Sequence, residues 1–271
     1  MRIALLADIH GNGIALDAVL ADIQQRGGVD GYWILGDLCA IGPDPAYVVE
    51  RLHALPDALF VAGNADRYVT SDERPAPSFA QVRENPELIP LLAEVAGSFA
   101  WTCGYLEGQG WLQWLAELPM EQRVTLPDGS NVLLTHVAPD TLDGMGLNPS
   151  LSDTELATAL KAETADLICV GHFHLALDRT YDQQRIINPG AVSNNFAPDL
   201  RAAYAILNAN TQGYSIFHHR VDYDRAAVAE RVRRSSNPGA GFMLQLLEGK
   251  VRASWMHRWD GESFYPALAQ K

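Results

Sequence analysis

The first quarter of the chain alternates between continuous apolar runs and segments with helical periodicity. Residues 3–7 are all apolar, as expected for a strand that is covered on both faces. Apolar residues then recur at helical spacing as far as Ile23, and Gly27-Gly28 predicts the end of that helix. A strand, a helix and another strand are predicted at residues 32–35, 46–55 and 58–62. This alternation predicts an α/β fold built on a parallel sheet.

The pattern changes between Thr70 and Pro119, where four prolines precede an aromatic-rich segment of helical periodicity. We interpret this stretch as a loop followed by helices that are inserted between strands. Beyond it, hairpins are predicted at residues 122–135 and 175–187, and a further strand pair at residues 203–218. Ser152 and Glu155 form a capping-box pattern that predicts a helix over residues 152–161, ahead of a buried strand at 167–170.

The last part of the chain has a different character. Two helices separated by Asn237-Pro238-Gly239 are predicted between Asp224 and Leu247. No internal repeat or low-complexity linker divides the chain. We therefore expect a core domain at residues 1–220, which includes a helical insert at about residues 70–119, and a C-terminal helical extension at residues 221–271 packed on that core.

Composition narrows the range of partners. The formal net charge of -13 disfavours binding to a nucleic-acid polymer. A small anionic substrate can still bind to a chain of this charge if bound divalent cations make the local electrostatic potential positive. No apolar run reaches the about 20 residues needed to cross a bilayer, and the first apolar run stops at Asp8 without a cleavage signal. We expect a cytoplasmic protein without a membrane partner. The three widely spaced cysteines indicate neither a disulfide framework nor a zinc pattern.

Polar clusters follow five of the predicted strands. They are Asp8-Ile9-His10-Gly11-Asn12, Gly36-Asp37, Gly63-Asn64-Ala65-Asp66, Thr135-His136 and Gly171-His172-Phe173-His174. In open α/β sheets, ligands bind beyond the carboxyl ends of the strands, so five clusters in equivalent places should converge in space. Each cluster alone is weak evidence, because such short patterns occur by chance. Their conjunction predicts one functional site.

The residue types in these clusters suit two divalent metal ions. Carboxylate, carboxamide and imidazole groups together favour Mn, Fe or Zn over Ca, which prefers oxygen ligands. Asp-x-His and His-x-His can each present two ligands, because alternate residues of an extended segment point the same way. The glycines of these clusters allow tight turns and a close approach of the backbone to the ions.

With this motif set, the chain resembles the calcineurin-like metallophosphoesterase superfamily, in particular its small bacterial and archaeal phosphodiesterases and phosphatases. The resemblance covers Met1 to about Leu207 and implies a four-layer α/β/β/α sandwich with a helical insert. It also implies that one ion, with Mn favoured and Fe or Zn as alternatives, is bound by Asp8, His10, Asp37 and His174. The second ion would be bound by Asp37, Asn64, His136 and His172. By the same analogy, Asn12 orients the metal shell or the phosphate.

The chain departs from the family pattern beside one ligand. Many relatives have a histidine after the Gly-Asn pair, where it is proposed to act on the leaving group, but this chain has Ala65. An alanine cannot donate a proton, so Asp66 or a metal-bound water becomes the candidate acid. A smaller departure is Val137, where close relatives often have glycine.

Three functions are compatible with these features. The resemblance implies hydrolysis by a hydroxide that bridges two ions about 3.5–4 Å apart. We favour a phosphodiesterase that acts on small nucleotide-like substrates, because the missing histidine suits acidic leaving groups. The alternatives are a phosphomonoesterase acting on a nucleotide or a phosphoprotein, and a non-catalytic protein-binding scaffold. Scaffolds tend to lose ligand histidines, and all seven ligand positions are filled here. The sequence does not determine the oligomeric state.

Overall fold

The computed structural model describes residues 1–251 of the 271-residue chain, and within that range it contains ten strands and nine α-helices. The strands are β1 (Arg2–Leu6), β2 (Gly31–Leu35), β3 (Ala58–Val61), β4 (Glu121–Thr125), β5 (Asn131–Thr135), β6 (Leu167–Cys169), β7 (Ala176–Tyr181), β8 (Gln184–Pro189), β9 (Ala202–Asn210) and β10 (Gly213–Val221). The helices are α1 (Gly13–Gln25), α2 (Pro45–His53), α3 (Asn64–Thr70), α4 (Phe79–Glu84), α5 (Ile89–Gly108), α6 (Leu112–Ala116), α7 (Asp153–Leu160), α8 (Arg225–Arg234) and α9 (Ala240–Leu247).

The strands form two five-stranded sheets. The first sheet has the order β10-β9-β1-β2-β3 and the second has the order β4-β5-β6-β8-β7. Each is mixed: β1, β2 and β3 are parallel to one another, as are β5, β6 and β8, while the remaining strands pair antiparallel. The prediction of a parallel sheet is therefore correct only for three adjacent strands of each sheet, which include the edge strand β3 in the first sheet. The antiparallel strands β4, β7, β9 and β10 belong to hairpins, whose short loops can join only antiparallel neighbours.

Three apolar clusters create four layers. Leu5, Trp33 and Leu134 belong to a cluster between the sheets. Leu6 and Ile34, their neighbours along β1 and β2, point the other way and pack with α1 and α2, because successive side chains of a strand lie on opposite faces. Further residues of the second sheet pack against α7 on its outer side. The four-layer α/β/β/α sandwich is thus confirmed.

The insert and the C-terminal helices lie on the side of the first sheet. The helices predicted after the proline-rich loop are α5 and α6, and their residues Phe99, Leu106 and Leu115 join the outer cluster of that sheet. Helices α8 and α9 form a small cluster of their own that also contacts the start of α1. The boundaries proposed for the domain and its extension stay predictions, and residues 252–271 of the extension lie outside the described residues. No helix within residues 1–251 is long and apolar enough to span a membrane.

Candidate metal centre

The five polar clusters meet where the carboxyl ends of the parallel strands of both sheets come together. The loops after β1, β2 and β3 come from the first sheet, and those after β5 and β6 from the second. Backbone hydrogen bonds extend the β1–β2 pairing into the loops, since the amide of Asp8 donates to Gly36 and that of His10 to Asp37. The ligand-bearing loops are therefore fixed by the sheets themselves.

Asp8, His10 and His174, here called the first ligand group, present three donor atoms to one point. The Nε2 atoms of His10 and His174 are 3.1 Å apart, and His174 Nε2 is 3.5 Å from Asp8 Oδ1. Two ligands of one tetrahedral ion at ordinary bond lengths would be about 3.3 Å apart. The group therefore has the spacing of side chains that share an ion.

Asn64, His136 and His172, the second ligand group, lie beside the first. Asn64 Oδ1 is 3.2 Å from His136 Nε2 and 2.9 Å from His172 Nδ1. Asn64 is the first residue of α3, so its position follows from where that helix begins. The carboxamide oxygen thus lies at the spacing of a shared ligand shell from each of the two imidazole nitrogens.

Asp37 lies between the two ligand groups. Its Oδ2 is 3.7 Å from Nε2 of His10, and its Oδ1 is 3.4 Å from Nε2 of His136. One carboxylate therefore presents one oxygen to each group. His136 Nε2 also lies 4.0 Å from Asp8 Oδ1, so the groups are contiguous.

The four histidines are oriented by backbone carbonyls. Three of them use Nδ1 for this contact and leave Nε2 free to face the centre: His10 to Ala40, His136 to Leu35 and His174 to Asn194, at 3.0, 2.6 and 2.8 Å. His172 is reversed, because its Nε2 contacts the Gly144 carbonyl at 3.0 Å and its Nδ1 faces Asn64. Such outer contacts fix the tautomer and ring orientation that a metal ligand needs.

The backbone of the centre is strained. Five of the seven predicted ligands have left-handed φ angles, namely Asp8 (54°), His10 (48°), Asp37 (55°), His172 (77°) and His174 (61°). Each such non-glycine residue costs on the order of 1 kcal/mol or more and persists only where the surrounding structure enforces it. Strain of this kind concentrates at functional sites, and here it coincides with the candidate ligands.

Two glycines are required by close approach around Asp37. A Cβ atom on Gly63 would collide with the Asp37 side chain, and one on Gly36 would lie 2.6 Å from His136 Nδ1. Gly36 also has a φ of +85°, which disfavours other residues. Substitution of either glycine would displace ligands of the centre.

Without bound cations, the buried carboxylates of Asp8 and Asp37 are only partly compensated by positive charge. Burial raises the pKa of Asp8 to about 7, and the neighbouring charge of His136 opposes this shift only in part. Burial also opposes the charge of His136, but Asp37 and Asp8 outweigh it and raise the pKa of His136 to about 9. Without cations, burial thus favours the protonated form of Asp8, and the charges of Asp37 and Asp8 favour a proton on His136. Two divalent ions would meet the same need, and the donor atoms suit them.

Asp66, a predicted catalytic residue, is engaged by the protein backbone. Its carboxylate accepts hydrogen bonds from the amides of Asp37 (2.8 Å), Leu38 (2.9 Å) and Gly63 (2.9 Å), and it is 1% exposed. These contacts tie the β2 and β3 loops together and fix the backbone of Asp37. The geometry gives Asp66 the place of a positioning residue and leaves no free oxygen directed at the cavity.

Asn12 is likewise committed to the protein. Its side-chain oxygen caps α1 by accepting from the Ala15 amide, and its nitrogen donates to Ser193 Oγ at 2.9 Å. Ser193 precedes Asn194, whose carbonyl orients His174. Asn12 can therefore act on the metal shell through this loop, but its side chain is not directed at a phosphate.

The loop after β8 was missed as part of the site. It contributes Ser193 and Asn194, both buried, and the amide of Ser193 donates to the Asp8 carbonyl at 3.0 Å. The sequence held a signal for it, because the polar run Ser193-Asn194-Asn195 follows a strand in the same way as the other clusters do. Strand β8 is parallel to β6, so its carboxyl end lies at the same edge.

A cavity of about 630 Å³ opens above the centre. Its floor includes His10, Asp37, Asn64, His172 and His174. Its walls come from α3, α5, α9 and the loops beside them, and most of the wall residues are apolar. The cavity is large enough for a small organic phosphoester whose phosphoryl group reaches the ligand groups.

Sequence comparison places these features in a family. The model of the calcineurin-like phosphoesterase superfamily domain matches residues 1–212. An uncharacterised protein of Methanocaldococcus jannaschii is 27% identical over 254 residues, which cover 87% of this chain and 93% of that protein. The symmetrical bis(5'-nucleosyl)-tetraphosphatase of Cronobacter sakazakii is 24% identical over 204 residues, which cover 74% of this chain but only 59% of that enzyme.

Solved structures agree with this placement. The crystal structure of a metallophosphoesterase from Sphaerobacter thermophilus is similar with a TM-score of 0.72 and 28% identity, covering 93% of this chain and all of that one. A hypothetical protein from Pyrococcus horikoshii has the same fold, with a TM-score of 0.76 at 18% identity and coverages of 93% and 99%. The chain therefore belongs to the calcineurin-like phosphoesterase superfamily, and it is a metallophosphoesterase, a hydrolase of phosphoesters.

Proposed function

We propose that the protein hydrolyses small nucleotide-like phosphodiesters or phosphoanhydrides with two divalent ions, Mn being the preferred metal. The position of Asp37 carries this proposal, because its two oxygens face Nε2 of His10 and Nε2 of His136 separately. A single carboxylate between two complete ligand groups is the arrangement that a binuclear centre needs. The first ion would be held by the first ligand group and Asp37, and the second by the second ligand group and Asp37.

The ions and the residues around them have separate roles in the proposed reaction. When bound, the two ions would supply Lewis acidity to the phosphoryl oxygens and to an attacking water, as is general for two-metal hydrolases. Asp66 holds the backbone amide of Asp37, and the carbonyls of Ala40, Leu35 and Asn194 hold three of the histidines. No side chain of the protein is needed as a nucleophile. The protein thus contributes fixed ligands and a cavity that positions the ester.

The surroundings of Ala65 favour substrates with acidic leaving groups. Ala65 is 2% exposed and follows Asn64, and its amide donates to Asp37 Oδ1 at 2.8 Å. Its methyl group cannot protonate a leaving oxygen, and the Asp66 carboxylate is occupied by three amides. A nucleotide phosphate leaves without protonation more readily than an alkoxide does. The likeness to a tetraphosphatase supports a nucleotide-like substrate, within the 59% of that enzyme that is matched.

An assay with three substrates tests this function. Metal-free protein would be reconstituted with Mn²⁺ and offered bis(p-nitrophenyl) phosphate, p-nitrophenyl phosphate and diadenosine tetraphosphate. We expect metal-dependent hydrolysis, with a higher kcat/KM for the diester and the anhydride than for the monoester. A clear preference for the monoester would instead favour the phosphomonoesterase alternative. Full activity after exhaustive chelation would contradict the two-metal function.

A further inference from the structure

Glu94 is an acidic side chain in the wall of the cavity above the metal centre. It lies on α5, and Leu91, Val95 and Ser98 on the same helix also line the cavity. This spacing of three and four residues places them on one face of the helix. Glu94 is half-buried and makes no hydrogen bond or ion pair with another residue in the described range 1–251.

The rest of the wall is suited to an organic group. Tyr68, Phe99, Phe242 and Leu246 line the same cavity, from α3, α5 and α9. Leu91 and Phe242 are 47% and 42% exposed although both face this space. Apolar side chains that line a large cavity and stay partly exposed indicate a ligand with apolar or aromatic parts.

The charges of the cavity are complementary to a ligand with two different ends. The metal-ligand floor, once it holds cations, attracts the anionic phosphoryl group. A carboxylate that has no partner among residues 1–251 and lies in an apolar wall attracts a group that donates hydrogen bonds or carries positive charge. Aromatic neighbours also favour such a nitrogen, whether it belongs to a cation or to a flat base.

We propose that Glu94 is a specificity-determining residue that selects phosphoesters whose organic group carries an N–H-bearing nitrogen. The inference rests on the proposed function, because the phosphoryl group must be placed at the metal centre. The nitrogen can be the ammonium of an aminoalkyl ester or the exocyclic amine of a nucleobase. Both present N–H donors to a carboxylate across an apolar space.

Matched p-nitrophenyl diesters test this proposal. One series pairs ω-aminoalkyl esters of two to six carbons with n-alkyl esters of equal length. A second pair compares the esters of adenosine 5'-phosphate and of purine riboside 5'-phosphate, which differ only in the exocyclic amine. All release the same p-nitrophenolate, so kcat/KM reports recognition of the remaining group. Because Glu94 is partly exposed, we expect a preference of about tenfold for the nitrogen-bearing member of at least one pair.

Glu94→Gln separates this role from a structural one. We expect the variant to lose the preference while hydrolysis of the n-alkyl esters and of bis(p-nitrophenyl) phosphate stays within about twofold of wild type. Glu107→Gln is the matched control, since Glu107 is exposed on the same helix and lies outside the cavity lining. It should keep the full preference.

Each outcome decides one question. A preference confined to the alkyl series identifies an ammonium, and one confined to the nucleoside pair identifies a base amine. Either supports the role of Glu94 when Glu94→Gln loses the preference, and a preference that Glu94→Gln keeps would overturn the inference. Equal kcat/KM values within every pair, with metal-dependent hydrolysis of bis(p-nitrophenyl) phosphate intact, would overturn the inference and leave the proposed function standing. A metal-loaded wild type that hydrolyses none of the diesters would overturn the proposed function itself.

Discussion

The two ligand groups differ in what holds their histidines. In the first group, His10 and His174 contact the carbonyls of Ala40 and Asn194, residues that are 1% and 6% exposed. In the second group, His136 contacts a buried strand residue, but His172 contacts the carbonyl of Gly144 in an exposed loop. One group is therefore built entirely on the core, and the other depends partly on the surface.

The surface loop in question is held by an ion pair. Asp143, next to Gly144, accepts two hydrogen bonds from Arg67 of α3, at 2.5 and 3.2 Å. The Asp143 side chain is 67% exposed, so solvent and salt weaken this pair. A ligand that relies on such a loop is less rigidly placed than one that relies on buried backbone. The comparison teaches that two sites of similar composition can differ in metal affinity through their outer contacts.

The largest expected effect comes from the residue that both groups share. Asp37→Asn removes the charge that would neutralise both ions, so we expect a loss of several orders of magnitude in kcat and a reduced content of both metals. Steady-state kinetics and metal analysis of the same preparation would measure this. Asp178→Asn is the control, because Asp178 pairs with Arg185 at the surface and should change little. Equal losses from the two substitutions would contradict the shared role of Asp37.

The affinities of the two metal-binding events test the difference between the groups directly. Purified protein should bind close to two divalent ions per chain. We expect titration calorimetry to resolve two affinities that differ by at least about tenfold, because His172 of the second group is held by the carbonyl of an exposed loop residue. His172→Ala should abolish the weaker event and keep the stronger, and His10→Ala should do the reverse. If His172→Ala removes the tighter ion, the comparison is wrong.

A smaller change in the outer contact should sharpen the comparison. Asp143→Asn weakens the pairing with Arg67 and loosens the loop that carries Gly144, so we expect the affinity for the second ion alone to fall by roughly threefold to tenfold. The matched control is Asp153→Asn, since Asp153 also pairs with an arginine and is 80% exposed. Calorimetric titration with Mn²⁺ would measure both variants. An equal fall for the two ions would indicate a general loss of structure.

The last effect concerns the choice of leaving group and depends on Ala65, beside the second group. Ala65→His would place an imidazole where relatives of the family carry one, and a positioned acid contributes roughly 10²–10⁴-fold when the leaving group is poor. We expect a larger gain for alkyl phosphates than for nitrophenyl phosphates, reduced by overpacking at a buried position. The slope of log(kcat/KM) against leaving-group pKa should become shallower. Ala65→Leu, which adds bulk without a proton, should leave the slope unchanged, and an unchanged slope for the histidine variant would count against a missing acid.

Local sequence patterns determined most of the fold and the composition of the candidate site. The strands β1, β2, β5 and β6 could be predicted from continuous apolar runs, because the buried part of a strand that is covered on both faces is apolar. The capping box at Ser152 and Glu155 was readable because it needs only residues three apart, and both of its hydrogen bonds are present. The convergence of the three clusters of the first sheet, and of the two clusters of the second, followed from the rule that parallel strands share an edge. The meeting of the two edges was decided by the packing of the sheets on each other.

Only the tertiary structure decided how these residues are used. Asp66 and Asn12 were expected to act on the substrate or the metal shell. The Asp66 carboxylate accepts hydrogen bonds from three backbone amides, and the Asn12 side chain is hydrogen-bonded to Ala15 and Ser193. The reversed ring of His172 and the role of Asn194 depend on loops far apart in sequence. Glu94 faces the metal-ligand cavity because α5 packs over the first sheet. The physical reason is that strand and helix patterns reflect burial of neighbouring residues. Contacts such as those of Asp66 with Leu38 and of Asn12 with Ser193, and the walls of the cavity, are set by long-range packing that no local pattern records.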